Sequence, residues 1–201
     1  MNTMSMLPIW LRMRRTAARM LRDRSGIAAT EFAVIVPVML VMFFGTVEFS
    51  SGVAVNRKVT LMARTLSDLT SQSTTVNDTD LTGFFAASKG VMTPYPSSPT
   101  QSTISQLYVV PDSLAVKVMW SKGHAPREPG NTVTIPSELK VADTYLIFSE
   151  VSYRYVPAVG KVVTPAGIDL TDVSYTRPRQ SKCVFYPTPS SGPLPSSCPT
   201  S

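Results

Sequence analysis

The glutamate at position 31 is the residue whose placement most needs a chemical explanation. It precedes an uncharged and largely apolar stretch of sixteen residues, 32–47. An ionised carboxylate inside a bilayer costs about 2.5–3.5 kcal/mol on insertion scales, so a positive group should compensate it. A cut after Gly26 would leave Ile27 with a new amino group and make Glu31 the fifth residue. Without a cut, Glu31 could instead reach the lipid headgroups or pair with Arg24.

The other side chains that could take part in catalysis do not form a recognisable active site. His124 is the only histidine of the chain, so it cannot share a metal with other histidines. Ser137 and Lys140 have the S-x-x-K spacing of acylating serine enzymes, but the S-D-N and K-T-G motifs are absent. G-x-G-x-x-G, P-loop and H-E-x-x-H motifs are also absent. We predict no enzyme activity, no cofactor and no metal site; a hydrolase using Ser137 is the rival hypothesis.

Residues 27–47 are predicted to form a transmembrane helix. These 21 residues rise about 31 Å as a helix, close to the ~30 Å hydrocarbon core of a bilayer. The arginines that precede the span predict a cytoplasmic amino terminus and an exported remainder; they stand at positions 12, 14, 15, 19, 22 and 24. A cleaved signal peptide is the alternative. The retained anchor is favoured because the apolar run is long and no clear A-x-A follows it.

The net charge of +6 is concentrated before the span and does not indicate a nucleic-acid partner. Residues 1–26 carry a net charge of +5, and residues 27–201 carry 13 basic and 12 acidic side chains. The exported part therefore offers no basic surface for a phosphate backbone.

The segment after the span has the pattern of a second, amphipathic part of the same helix. Apolar residues recur at heptad-like spacing, and one helix could run to about Ser71; the stripe comprises Val55, Val59, Met62, Leu66, Leu69 and Val76. Its partner is predicted to be the chain's own domain, with another subunit as the alternative. A short helix over residues 81–92, with Asp80 as its N-cap, is predicted to follow.

The remaining hundred residues predict an antiparallel sheet. Alternating apolar residues mark strands near residues 107–110, 114–120, 133–135, 144–156 and 173–176, with 183–186 as a further candidate. The longest, 144–156, has an apolar face and a polar face, which predicts a sheet covered on one side by a helix. The predicted fold class is α+β, with a transmembrane helix, a stalk helix and a small antiparallel-sheet domain.

The predicted domain organisation has five parts. They are a basic cytoplasmic leader (1–26), the transmembrane helix (27–47), a stalk helix (48–72), an exported α+β domain (73–186) and a proline- and serine-rich tail (187–201).

The opening of the span resembles a known family. Gly26 followed by Glu31 ahead of a long apolar helix is similar to the type IV prepilin pattern. More narrowly, residues 22–37, with their basic-Gly approach, Glu-Phe-Ala and Pro37, resemble TadE/TadG-like proteins of the tight-adherence (Flp) pilus assembly system. Ile27 departs from the phenylalanine that is common after the cut in pilins.

The resemblance implies a function and a set of partners. A prepilin peptidase would cut between Gly26 and Ile27, and Glu31 would neutralise the amino terminus of a neighbouring subunit. Pro37 lacks an amide N–H and is predicted to kink the helix. The kink either has no further role or shapes the packing of the helix against other subunits. The implied fold is pilin-like, and the implied partners are other pilus or pseudopilin subunits, inner-membrane assembly proteins and the lipid bilayer.

Cys183 and Cys198 are the only cysteines, and both lie in the predicted exported part. An oxidising compartment permits a disulfide between them, and pilins often carry such a loop near the carboxyl end. Two free thiols are the alternative.

These observations predict a minor pseudopilin or accessory assembly subunit of a tight-adherence (Flp, type IVb-like) pilus machinery. It would be a single-pass protein of the bacterial inner membrane, with its carboxyl-terminal domain in the periplasm. The alternative is a membrane-anchored extracytoplasmic binding module unrelated to pili.

Overall fold

The computed structural model of the chain describes residues 25–157, 167–186 and 197–200. The chain divides into two compact units, Met1–Val47 and Glu48–Ser201. Most of the predicted leader 1–26 lies outside the described residues, as does most of the predicted tail 187–201. The elements are helix α1 (Ser25–Ser71), helix α2 (Asp78–Gly90), strands β1 (Thr100–Val109) and β2 (Val116–Gly123), a 3-10 helix (Ser137–Leu139), and strands β3 (Thr144–Tyr155) and β4 (Ile168–Thr176).

The second unit is built on one four-stranded antiparallel sheet. The strand order is β2-β1-β3-β4, with β1 at the centre, paired with both β2 and β3, and β4 on the outer side of β3. The α+β class predicted from the sequence, a long apolar helix followed by a small antiparallel sheet, is confirmed.

The apolar stripe of α1 packs against this sheet. Val55, Val59 and Met62 are fully buried and form one cluster with Val151 and Tyr153 of β3. One helical turn further along, Leu66 joins a second cluster; that cluster also contains Val76, Leu81, Ile104, Trp120, Ile147 and Val184. Residues at 3- and 4-residue spacing lie on one helix face. This face of α1 packs against the chain's own sheet, as the sequence predicted.

The opposite face of the sheet is not uniformly polar, which corrects the prediction of one apolar and one wet face. Leu146 and Phe148 point away from α1 and are buried together with Leu107, Val118 and Ile135. Sequence alternation alone missed this second layer because its cover comes from an irregular segment. Further along β3, Glu150 and Arg154 leave the sheet face polar.

An irregularity in β2 decides which side its residues face. The register with β1 shifts between Gln106 and Leu107, so that Met119 is the extra residue on β2. A bulge of this kind breaks the two-residue alternation. Val118 consequently belongs to the far-side cluster, whereas Trp120 lies in the cluster on the α1 side. Simple alternation would have placed both on one face.

Two predicted strands are absent from the sheet. Residues 133–135 form no strand; Val133 N–H donates to the carbonyl of Val116, and the neighbouring bridge is a single Lys117–Thr132 pair. Residues 183–186 make only an isolated bridge, between Thr75 and Phe185. Both predictions were wrong because short alternating runs carry no information about pairing partners.

Helix α2 begins earlier than predicted, and its N-cap is Asn77, not Asp80. The Asn77 side chain accepts a hydrogen bond from the Asp80 amide at 2.9 Å, and the Asp80 carboxylate accepts one from the Asn77 amide at 3.1 Å. This reciprocal pair is a capping box. Asp80 therefore occupies the third helical position, where an acidic side chain completes the box.

Candidate functional site

The first unit presents an apolar helix surface with no cover from its own described residues. Residues 25–47 are helical throughout, and from residue 26 on all are exposed except half-buried Val36. Phe32, for example, is 69% exposed. Full burial of a Val, Leu, Ile or Phe side chain is worth about 1.5–3 kcal/mol. Covering this surface with lipid or with other helices is therefore favourable.

Glu31 is the acidic group of this surface. It is exposed, and the ion pairs found among the described residues all lie in the second unit. Beside it, the Thr30 hydroxyl donates to the carbonyl of Ile27 at 2.8 Å, so this polar side chain is satisfied within the helix. The described residues thus leave the carboxylate of Glu31 to interact with groups outside the helix itself.

Gly26 and Ile27 lie in the first turn of α1. A Cβ atom added at Gly26 would meet nothing within 4 Å. The described surroundings of Gly26 therefore leave room for a side chain, and the glycine is not required by local packing.

Pro37 lies inside α1 and has no N–H to donate to the carbonyl of Ala33. The helical assignment continues through it, and the predicted kink stays a prediction. Nine residues later, the Thr46 hydroxyl donates to the carbonyl of Met42 at 2.8 Å, so its polar group is satisfied within the helix. Internal bonding of this kind keeps Thr46 compatible with an apolar surrounding.

Cys183 and Cys198 are joined by a disulfide in the second unit. Cys183 is fully buried and packs with Tyr108 and Tyr145. The Tyr145 hydroxyl donates to the carbonyl of Pro199 at 2.8 Å. The bond and this contact hold the described end of the chain, residues 197–200, against the sheet.

The residues considered for catalysis are not brought together. Ser137 donates to the carboxylate of its neighbour Glu138 at 2.9 Å. A hydrogen bond from the Glu138 backbone amide, and to a smaller extent the one from Ser137, lowers the Glu138 pKa. His124 is exposed at the end of β2. Within the described residues, no group of three or more His, Cys, Asp and Glu side chains could hold a metal ion.

The Arg127–Glu150 pair is the least exposed of the ion pairs among the described residues, and the sequence did not predict it. Arg127 pairs with Glu150 through both of its terminal nitrogens and lies over the Phe148 ring. The Glu150 hydrogen bond raises the Arg127 pKa, and partial burial opposes it. From the sequence, only the Glu150 carboxylate could be placed, on the polar face of β3. Arg127 could not be placed because it lies in an irregular loop. The pair fixes this loop to the sheet.

Comparison with known proteins bears on the helix. Residues 26–66 match a family model described as TadE, TadE-like protein. No curated protein and no solved structure matches the chain. Among the described residues one helix, Gly26–Ser71, is long and apolar enough to cross a membrane. The resemblance seen in the sequence is confirmed over a segment that includes Gly26, Glu31 and Pro37, and this family is a pilus-assembly family.

Proposed function

Because residues 26–66 form a TadE-like segment, we propose that the chain is a minor pseudopilin or accessory assembly subunit of a tight-adherence (Flp, type IVb-like) pilus machinery. The span 27–47 anchors it in the bacterial inner membrane, with the amino terminus in the cytoplasm and the second unit in the periplasm. Its partners are other pilus or pseudopilin subunits and inner-membrane assembly proteins.

The observation that carries this proposal is an exposed apolar helix surface bearing one carboxylate. A helix that served only as an anchor would gain nothing from Glu31, since a charge near the hydrocarbon costs free energy. The described residues supply no ion pair for this carboxylate. A positive group of a neighbouring subunit, such as a free amino terminus, offsets that cost and gives the contact its specificity.

The test is a Glu31→Gln variant in cells that assemble the pilus, which removes the charge and keeps the side-chain size. We expect a severalfold loss of surface pili and of co-purified assembly proteins, with unchanged membrane recovery of the chain. Glu138→Gln is the matched control, because Glu138 is an exposed carboxylate outside the TadE-like segment. Pili and complexes at wild-type levels in the Glu31→Gln strain would exclude this role of the carboxylate, and normal pili in a strain lacking the chain would refute the whole assignment.

Processing between Gly26 and Ile27 by a prepilin peptidase is a second part of the proposal. The mature chain should begin at Ile27, which intact-mass spectrometry detects directly. Gly26→Val should abolish this species. Gly45→Val is a matched control, since a Cβ added at either glycine meets nothing within 4 Å. A chain that retains residues 1–26 in pilus-forming cells excludes this processing step.

A further inference from the structure

A groove in the second unit carries exposed apolar side chains that the core does not use. It has a volume of about 510 Å³ and lies between the first residues of α1 in this unit and the start of β4. We call it the proximal groove and define it by Phe49, Val53, Arg57, Tyr155, Pro157 and Ile168. Phe49 is 74% exposed, Ile168 49% and Val53 41%.

This clustering is what distinguishes the groove from ordinary surface. Single exposed hydrophobic residues are common on proteins, whereas contiguous apolar patches mark binding or membrane contacts. The patch combines residues more than a hundred positions apart, since Phe49 lies on α1 and Ile168 on β4. Ile168 pairs with Tyr155 across the β3–β4 ladder. The aromatic ring of Tyr155 lies beside Gly52, where an added Cβ would be 3.7 Å from it.

The position of the groove along the chain indicates what covers it. Glu48 directly follows Val47, the last residue of the predicted span. Phe49 follows Val47 by two residues and Val53 by six. The headgroup layer adds roughly 5–7 Å on each side of the hydrocarbon core. The groove is therefore continuous in the chain with the membrane-spanning segment.

The polar groups of the groove suit a lipid interface. The Tyr155 hydroxyl donates to the Glu48 carboxylate at 3.3 Å, and burial, with the nearby Glu48 charge as a smaller cause, raises the Tyr155 pKa, so it remains a neutral donor. Tyrosine is enriched where membranes meet water. Arg57 is exposed at the rim, and a guanidinium binds phosphate oxygens well.

We propose that the proximal groove rests on the exported surface of the lipid bilayer, with Phe49, Val53 and Ile168 against the interfacial layer and Arg57 on the water-facing side of the contact. This contact would hold the second unit down on the membrane before assembly. The inference rests on the membrane anchoring in the proposed function.

The test uses the full-length chain in phosphatidylcholine–phosphatidylglycerol vesicles, with a spin label at Ile168→Cys and the native disulfide intact. Collision with oxygen reports lipid, and collision with a water-soluble nickel chelate reports solvent. We expect the ratio of oxygen to nickel collisions to be severalfold higher at position 168 than at Val173→Cys. Val173 is the matched control, because it is on the same strand and equally exposed at 47%.

A second pair of labels on α1 guards against a misfolded Ile168 variant. Val53→Cys lies in the groove, and Leu61→Cys is an exposed control about 12 Å further along the helix. Lipid contact at 53 and solvent contact at 61 are the expected results.

A label at Phe43→Cys separates the two proposals. Lipid contact at 43 with solvent contact at 168 and 53 overturns the groove contact and leaves the membrane anchor in place. Solvent contact at 43 removes the anchor and the groove contact together. Exclusion of both reagents from 168 shows that protein covers the groove, either residues 158–166 or a second copy, and this also overturns the inference.

Discussion

The hydroxyl of Ser149, in the middle of β3, donates a 2.6 Å hydrogen bond to the backbone carbonyl of Ala63 in α1. Both residues are fully buried. The bond explains why a serine occupies the otherwise apolar face of β3, because a buried hydroxyl needs a partner. It also fixes one strand position against one helical turn, which apolar contacts alone do not specify.

Ser149→Ala should lower the free energy of unfolding by about 1 kcal/mol, the usual net worth of an intramolecular hydrogen bond. Urea unfolding of the full-length chain in detergent, followed by tryptophan fluorescence, measures it. Ser152→Ala is the control, since Ser152 lies on the other face of β3 and is only half-buried. Equal effects of the two substitutions would show that the bond contributes nothing.

Val184 is held by two side chains of the sheet, which suggests a second prediction. Its amide donates to the Gln106 side-chain oxygen at 2.6 Å, and its carbonyl accepts from the Trp120 indole at 2.9 Å. Gln106→Leu leaves a buried N–H unpaired and should cost about 1–3 kcal/mol.

The Gln106→Leu effect has an internal control in the same strand. Gln101 is exposed, so Gln101→Leu should change the urea midpoint little. Faster hydrogen exchange of the Val184 amide in the Gln106 variant would locate the loss. A midpoint unchanged in both variants contradicts the prediction.

The Cys183–Cys198 disulfide should stabilise the second unit by about 3 kcal/mol, the chain-entropy value for a loop of this size, because the bonded residues are 15 apart in sequence. A reductant should lower the urea midpoint of the full-length chain accordingly. The double variant Cys183→Ala, Cys198→Ala should have the lower urea midpoint of the reduced wild-type chain, and adding a reductant should not change that midpoint. If a reductant leaves the urea midpoint of the wild-type chain unchanged, the disulfide does not contribute to the stability of the second unit.

Two exposed carboxylates should make the segment 182–186 sensitive to acid. Hydrogen bonds from Lys182 and then Tyr108 lower the pKa of Asp143 below its ordinary 3.8. Hydrogen bonds from Tyr186 and then Lys122 do the same for Asp78. A depressed folded-state pKa stabilises above the unfolded value, and this contribution is lost as pH falls through the folded one.

Stability should therefore be insensitive to these groups above about pH 4 and should decline below it. The double variant Asp78→Asn, Asp143→Asn should show a shallower decline between pH 5 and 3 in urea unfolding of the full-length chain. Glu128→Gln, an exposed carboxylate elsewhere, serves as the control for general charge effects. A slope identical to that of the wild type would mean that these contacts do not form in solution.

The sequence by itself determined the features that follow from local pattern. Three local patterns need no knowledge of partners: a largely apolar run long enough to cross a bilayer, the spacing of Gly26 and Glu31, and the 3- and 4-residue spacing of Val55, Val59 and Met62. The resemblance of residues 22–37 to TadE/TadG-like proteins predicted the TadE-like segment, the apolar patterns predicted the α+β class, and both are confirmed.

Only the tertiary structure decided the features that depend on how strands pair and which segments cover the sheet. The bulge at Met119 reverses the facing of Trp120 relative to Val118, and an irregular segment buries Phe148 on the face expected to be wet. Residues 183–186 are fastened by side chains instead of joining the sheet. Strand alternation shows which residues are apolar. The strand register, and which segment covers each sheet face, are set by contacts between segments distant in the sequence. The proximal groove also forms between such distant segments, α1, β3 and β4.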